Sequence, residues 1–356
     1  MKKSLIVMIL MGFVLASCVQ KKPEEMYEEQ RTGVVMVLNK FYYEMKLPNG
    51  AVFYFTGLDE NGGLVGLTEN EEQAKAQPGM SFGTAFFIDE KGSLLTNRHV
   101  ASPPINKEMV KKYFTAMVEN AQRYALAYMQ RLQQIYQQAV AEGSEIVGYD
   151  EYGNLVTTDA DRLQQLQNGI EEVQSEFEKA KESYMAFEQI KNPSDIVITP
   201  ICELGIAYDG SSPKSDADFL KKAPCTVVRT SGDEEVDLAL LKLKSGVTPS
   251  DAYVFDVNAA DDNLKIGDDL YMIGYNAGME IAYTKNGVNS QFTKGAVTQR
   301  PDGQRVLYDI ATIQGSSGSP VMNSKGQVVA VNFAKFAKSD NFNLGVPLRA
   351  IRKFLK

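Results

Sequence analysis

From Thr32 onward the chain reads as short runs of β-branched, aromatic and aliphatic residues, each closed by a turn signal. GVVMVLNKFYYEMKL (33–47), AVFYFTGL (51–58), GTAFFI (83–88) and SLLTNRHV (93–100) are strand-like, since side chains of this kind suit a pleated surface. Leu47-Pro48-Asn49-Gly50 and Asp89-Glu90-Lys91-Gly92 separate them, and Gly, Pro and Asn favour the backbone angles of turns. The same texture resumes after Pro193 and ends in an amphipathic segment, PLRAIRKFLK (347–356). Many short strands joined by Gly-bearing turns predict an antiparallel barrel or sandwich.

The stretch between these β regions has another period. No proline occurs from Ile105 to Lys191, and Gln, Glu, Ala, Lys and Tyr dominate. Val110, Phe114, Met117, Ala121, Tyr124 and Tyr128 fall at alternating steps of four and three, and a four-residue step to Leu132 makes a stutter before Ile135 and Ala139. A second seam runs from Leu163 and Leu166 through Val173 and Phe177 to Ala180 and Phe187. Two helices of about 30–35 residues are predicted, forming an arm of roughly 50 Å. They are joined by EGSEIVGYDEYGNLVTTD (142–159), whose tip is suited to a small hairpin. The expectation is a coiled-coil hairpin at 101–193, inserted into a β domain made of 32–100 and 194–356.

The first residues form a targeting segment. Lys2 and Lys3 precede an apolar run, Leu5 to Ala16, that is short for a membrane span. It ends in Leu15-Ala16-Ser17-Cys18, which resembles a bacterial lipobox. The expectation is a signal peptide at 1–17, lipidation of Cys18 and a charged tether at 18–31. The protein would then sit on the bacterial cell envelope, at the outer membrane where the organism has one. Export permits a disulfide between Cys202 and Cys225, and two buried thiols fit as well.

Composition narrows the chemistry. With 37 Lys+Arg against 45 Asp+Glu, the formal net charge is −8, which argues against a nucleic-acid binder. There is a single histidine, His99, so no multi-histidine metal site is expected, and no cofactor. His-dependent chemistry must use that residue.

Three stretches supply its partners: Leu95-Thr96-Asn97-Arg98-His99-Val100 ending a strand, Val236-Asp237-Leu238-Ala239-Leu240-Leu241-Lys242 with the acid inside an alternating strand, and the turn Gly315-Ser316-Ser317-Gly318-Ser319-Pro320. A serine hydroxyl is a poor nucleophile near neutral pH and needs a base to take its proton as it attacks. Imidazole is the side chain suited by nature to that role, which points to His99, and Asp237 would favour one tautomer and the imidazolium. Amides of Gly315 and Ser317 would stabilise the oxyanion, with glycine permitting the backbone angles that aim them.

His, Asp and Ser in this order, with a Gly-x-Ser-Gly turn, resemble the trypsin-like (chymotrypsin-fold) serine peptidases. GTAFFIDEKGSLLTNRHVAS, DLALLKLK, YMIGYNAG, TKGAVTQ and YDIATIQGSSGSPVMNSKGQVVAVN are similar to bacterial members, especially glutamyl endopeptidases and the high-temperature-requirement proteases. The resemblance implies a mainly β protein of two antiparallel six-stranded barrels, with catalytic His99, Asp237 and Ser317 and an oxyanion hole at Gly315 and Ser317. It also implies a substrate pocket lined by Ala311, Thr312 and Asn332, suited to a small or uncharged side chain. Ser316 stands where trypsin-type enzymes carry an aspartate that captures a new N-terminus, so that activation route is not expected. Ser319 replaces the usual second glycine, and the absence of a second histidine speaks against glutamate preference. No PDZ sequence follows the β region before Lys356.

The predicted function is a membrane-anchored serine endopeptidase acting on protein or peptide substrates. The rival is a weak or inactive protease-fold lipoprotein that binds a partner protein through its arm. An envelope spacer without chemistry would need no ordered His, Asp and Ser.

Overall fold

The computed structural model describes residues 21–190, 195–233, 235–335 and 342–356; the predicted signal peptide and Cys18 lie outside them. The chain divides into two compact units. The first holds residues up to Phe41, Pro78–Pro104 and Pro200–Lys356; the second holds Tyr42–Gln77 and Ile105–Thr199.

The first unit carries both sheets of the peptidase-like part, save residues 42–46 and 197–199 at the ends of two strands. Strands Val34–Lys46, Gly79–Phe87, Ser93–Thr96, Ala239–Leu243, Pro224–Thr230 and Val197–Tyr208 are neighbours in that order. The last also pairs with the first, which closes a six-stranded barrel. The second sheet runs Gln291–Ala296, Asp269–Gly274, Pro320–Met322, Val328–Lys335, Asn343–Pro347 and Val306–Tyr308. Its two edges meet through the single bridge Val297–Tyr308. The fold is mainly β, with the two barrels that the resemblance implied, the first closed and the second half closed.

Side-chain alternation along each strand divides the apolar residues among three cores. Val35 and Val37 face the interior of the first barrel with Ala85, Phe87, Leu94, Leu204, Ile206, Ala239 and Leu241. Val34, Met36 and Leu38 face the opposite way, into a core shared with Phe86, Leu95, Ile273 and Val331 from both sheets. The second sheet repeats the arrangement, with Leu270 and Met272 turned inward and Tyr271 and Ile273 turned to the shared core. That is why VVMVL is apolar without a break: both faces of the strand are buried.

The segment expected as an open tether is ordered in part. Pro23–Gln30 is a helix with proline in its first turn, a position that loses no hydrogen bond. Met26 and Gln30, one turn apart, are fully buried, and Gln30 Nε2 donates to the Gly326 carbonyl at 2.7 Å. Cys202 is half-buried and Cys225 buried, both as free thiols. Burial pushes the Cys225 thiol up to about 12.

The second unit contains helices Lys107–Glu145 and Ala160–Glu188, of 39 and 29 residues. Asn106 and Asp159 cap their first turns, accepting from the Met109 and Arg162 amides at 3.0 and 2.9 Å. The connector forms the predicted hairpin, Val147–Tyr149 against Leu155–Thr157. Arg162 grips Glu142 through two nitrogens, at 2.6 and 3.0 Å, and Gln122 reaches Glu188 at 3.0 Å, so the helices run antiparallel. The seam differs from the expected one. Val110, Phe114, Val118 and Leu132 are buried, whereas Met117, Tyr124 and Tyr128 are exposed. Val110, Phe114 and Val118 follow one another at steps of four, so the buried stripe reaches Val118 where the heptad pattern expected Met117. Residues Tyr42–Gln77, expected as part of the peptidase β domain, group with the helices. The Phe53 ring packs on Phe114 at 5.8 Å between centroids. Among the described residues, no helix is long and apolar enough to cross a membrane.

Candidate active site

Strand register brings His99 and Asp237 together. Ala239 pairs with Thr96 in an antiparallel ladder, so the residue two before Ala239 lies beside the two that follow Asn97. Asp237 sits just before the strand Ala239–Leu243, not inside it as the alternating pattern implied. His99 lies in the short helix Arg98–Ala101 that opens after Asn97. Its Nδ1 is 2.6 Å from Asp237 Oδ2, and its backbone N–H donates to Asp237 Oδ1 at 3.1 Å. Asn97 Nδ2 donates to the Asp237 carbonyl at 2.8 Å. The carboxylate thus accepts from both the ring and the main chain of one residue, which fixes the imidazole's orientation. With Nδ1–H turned to a carboxylate, Nε2 is left as the basic nitrogen.

The serine turn is shaped by its glycines. Gly315 and Gly318 have φ of +101° and +91°, in the region that disfavours any side chain. A Cβ on Gly318 would lie 2.0 Å from the Thr84 carbonyl oxygen, and one on Gly315 would lie 2.3 Å from that of Tyr275. Ser317 between them is partly exposed. Its carbonyl accepts from the Thr84 amide at 2.8 Å. Thr84 Oγ1 donates to the Gly315 carbonyl at 2.9 Å, and the Thr84 carbonyl accepts from Thr96 Oγ1 at 2.6 Å. One buried threonine therefore joins the serine turn to the strand that leads to His99. The amides of Ser316, Gly318 and Ser319 are bonded within the protein, to Ile313, Asn332 and Ser316 carbonyls. Those of Gly315 and Ser317 have no backbone acceptor among the described residues.

The three predicted pocket residues are placed differently from one another. Ala311 is exposed. Thr312 is buried, its Oγ1 on Asn343 Oδ1 at 2.5 Å. Asn332 is buried and braces the turn: Nδ2 donates to the Ser316 carbonyl at 3.0 Å, and Oδ1 accepts from the Tyr308 hydroxyl at 2.8 Å. Ser316, at the position where an aspartate was not expected to act, is buried with its hydroxyl on the Ile313 carbonyl at 2.8 Å. Ser319 Oγ is buried with no partner among the described residues. Also among the described residues, no cluster of three His, Cys, Asp or Glu side chains could hold a metal ion.

Sequence reasoning missed Thr84, Asn97 and the loop Tyr275–Gly278. Thr84 left a signal, as a polar residue in the apolar run GTAFFI. The loop left little, because apart from the Asn276 side chain its part is played by backbone atoms.

Residues 207–331 match the family model of the trypsin-like peptidase domain. The barrels and this match agree on a trypsin-like peptidase fold. The similar proteins include the magnetosome formation protease MamE of Paramagnetospirillum magneticum, 31% identical over 35% of this chain and 17% of that protein. A probable periplasmic DegP-like serine endoprotease of Chlamydia pneumoniae is 33% identical over 34% of this chain and 23% of its own length. The match thus spans less than a quarter of either relative. A serine endoprotease structure from Yersinia pestis aligns with a TM-score of 0.43 and 13% identity, covering 95% of this chain and 66% of that one. Residues 207–331 are thus similar to the trypsin-like peptidase domain, and the relatives that the chain resembles are bacterial proteases.

Proposed function

We propose that the chain is a serine endopeptidase of the bacterial envelope, anchored by lipid at Cys18. The observation that carries the catalytic reading is the 2.6 Å contact between His99 Nδ1 and Asp237 Oδ2, in a unit where Thr84 bonds the Ser317 turn to the strand leading to His99. Ser317 Oγ attacks the peptide carbonyl while His99 Nε2 takes its proton, and Asp237 stabilises the imidazolium. Negative charge on the carbonyl oxygen is met by the Gly315 and Ser317 amides. Collapse expels the amine, which receives the proton from His99 and leaves an acyl ester on Ser317. Water then attacks the ester by the same route and frees the acid. The predicted pocket of Ala311, Thr312 and Asn332, of which Ala311 alone is exposed, would carry no charge and favour small or uncharged side chains. A fluorophosphonate probe tests this directly: the wild-type protein should be labelled and Ser317→Ala should not. Unchanged labelling in the variant, or none in the wild type, would sink the reading.

The exposed Tyr124, Tyr149 and Tyr152 of the helical arm, 78%, 75% and 81% accessible, favour a second role for that unit, the capture of a partner or protein substrate. Replacing 106–190 by a Gly-Ser linker should then spare ester hydrolysis and lose pull-down of the partner. If both persist, the arm is a spacer.

A further inference from the structure

The helix Pro23–Gln30 and the arginine after it are tied to the loop that braces the serine turn. Asp209 has a side chain only 1% exposed, a costly place for a carboxylate unless it is paired and hydrogen-bonded. It is both. Arg31 Nη1 meets Asp209 Oδ2 at 2.5 Å, and the Ser290 amide donates to Oδ1 at 2.7 Å. Tyr27, one turn before Arg31, donates from its hydroxyl to the Ser290 carbonyl at 2.9 Å, with the guanidinium 5.9 Å from its ring centre.

The strand that opens after Ser290 connects this cluster to the turn through Tyr275 and its neighbours: Gln291 pairs with Gly274, and its Oε1 accepts from the Asn276 amide at 2.6 Å. The Tyr275 side chain is fully buried, and its hydroxyl donates to the Val34 carbonyl at 3.1 Å. Burial first, then the neighbouring Asp209 carboxylate, push its phenol well above the ordinary value. Its backbone faces the other way: the amide donates to Thr84 Oγ1 at 3.1 Å, and the carbonyl packs against Gly315 so closely that a Cβ there would be 2.3 Å away. Two residues on, the Ala277 amide donates to the Gln314 carbonyl at 2.6 Å. Because a trans peptide points its C=O and N–H in opposite directions, that bond sets the direction of the Gly315 amide. Asn276 Oδ1 accepts from the Ile313 amide at 3.3 Å. Ala277 has φ +57°, the only positive value outside glycine among the described residues. Such a conformation costs energy and persists only where its surroundings impose it.

We propose that Arg31, Asp209 and Tyr275 form a latch through which the docked N-terminal helix positions the Gly315 amide for transition-state stabilisation. The three are positioning residues; none needs to touch substrate. The proposal rests on the oxyanion role given to Gly315 above. It assigns the segment following Cys18 a part in catalysis beyond attachment: when Arg31 leaves Asp209, a buried carboxylate loses its counter-charge, the Tyr275–Gly278 loop relaxes, and the amide loses its aim.

The test uses the full chain with Asp209→Asn, Tyr275→Phe, Arg31→Gln and Arg31→Lys. Asp209→Asn keeps an acceptor for Ser290 and removes the charge. It should lower kcat on a small peptide ester by about 10- to 100-fold, the scale of one weakened oxyanion donor, with KM nearly unchanged. A peptide boronate, which places a tetrahedral centre in the site, should lose affinity by the same factor while a product peptide should not. Arg31→Gln and Tyr275→Phe should follow, and Arg31→Lys should recover most of the loss. A rise in KM alone, or lost thermal stability with kcat per folded molecule intact, overturns the latch. Amide exchange across 313–318 on a Ser317→Ala background reads the positioning without turnover. It should quicken by about tenfold in Asp209→Asn, as expected of a locally loosened segment. Unchanged exchange overturns the latch whatever the activity. Quickened exchange in a chain whose wild type hydrolyses nothing would leave the latch standing and the peptidase reading fallen.

Discussion

The two sheets of the first unit contribute to the candidate site in different ways. The closed barrel contributes side chains: His99 and Asp237 meet at 2.6 Å because the register of two strands puts them side by side. The half-closed barrel contributes the Ser317 hydroxyl and, around it, main chain: Gly315 and Gly318 hold left-handed angles, and Asn332 and the Tyr275–Gly278 loop hold carbonyls in place. A side-chain function can be removed cleanly by one substitution. A backbone function cannot, and is reached only through the residues that shape it. Thr84 belongs to both parts, since it lies on the first barrel and bonds the turn of the second.

The largest effect should come from the side-chain half. His99→Ala should reduce turnover by about 10⁵- to 10⁶-fold and Asp237→Asn by about 10⁴-fold, with urea midpoints nearly unchanged. Near-wild-type turnover in either would remove the catalytic reading. Gly318→Ala strikes the backbone half. Its new Cβ would sit 2.0 Å from the Thr84 carbonyl oxygen, so activity and stability should fall together, the latter by about 3 kcal/mol. A stable, active variant would mean that the turn is not held as described. Thr84→Val removes a hydroxyl that bonds Gly315 and Tyr275 and should cost about 1–3 kcal/mol of stability. Its kcat should fall while the His99–Asp237 pair stays intact, visible as an unchanged imidazole proton signal. Loss of that signal would show that the two halves are not separable.

The smallest effect concerns pH and lies in the first barrel alone. Burial raises the Cys225 thiol from 9.0 to about 12, so the folded chain keeps a proton that the unfolded chain releases. Its contribution is present below pH 9.0 and is lost progressively as pH rises toward about 12. The urea midpoint should therefore fall less steeply between about pH 8.5 and 10.5, on the order of a few tenths molar, in Cys225→Ala than in the wild type. Parallel curves would show that other groups govern the alkaline limb.

Much of this architecture was readable along the chain. Turn residues and β-branched runs marked a barrel or sandwich, a helical period marked the arm, and a lone histidine, an aspartate in a strand-like run and a Gly-x-Ser-Gly turn marked the candidate site. These are local signals, set by which backbone angles and neighbours each residue tolerates. Other features depended on contacts between distant segments. Whether Met26 and Gln30 belong to a tether or a docked helix depended on the surface waiting near Gly326. Val118 took the place expected of Met117 in the buried stripe of a helix whose Phe114 packs on Phe53. Residues Tyr42–Gln77 left the expected β domain for the helical unit, drawn by contacts such as Phe53 on Phe114. Thr84 became a hub only when a turn 231 residues away came within hydrogen-bonding reach. Periodicity and turn chemistry act over a few residues and are written in the sequence. The partner of a buried hydroxyl, carboxylate or apolar face is chosen by the whole fold, because desolvated groups must be satisfied by whatever packing brings to them.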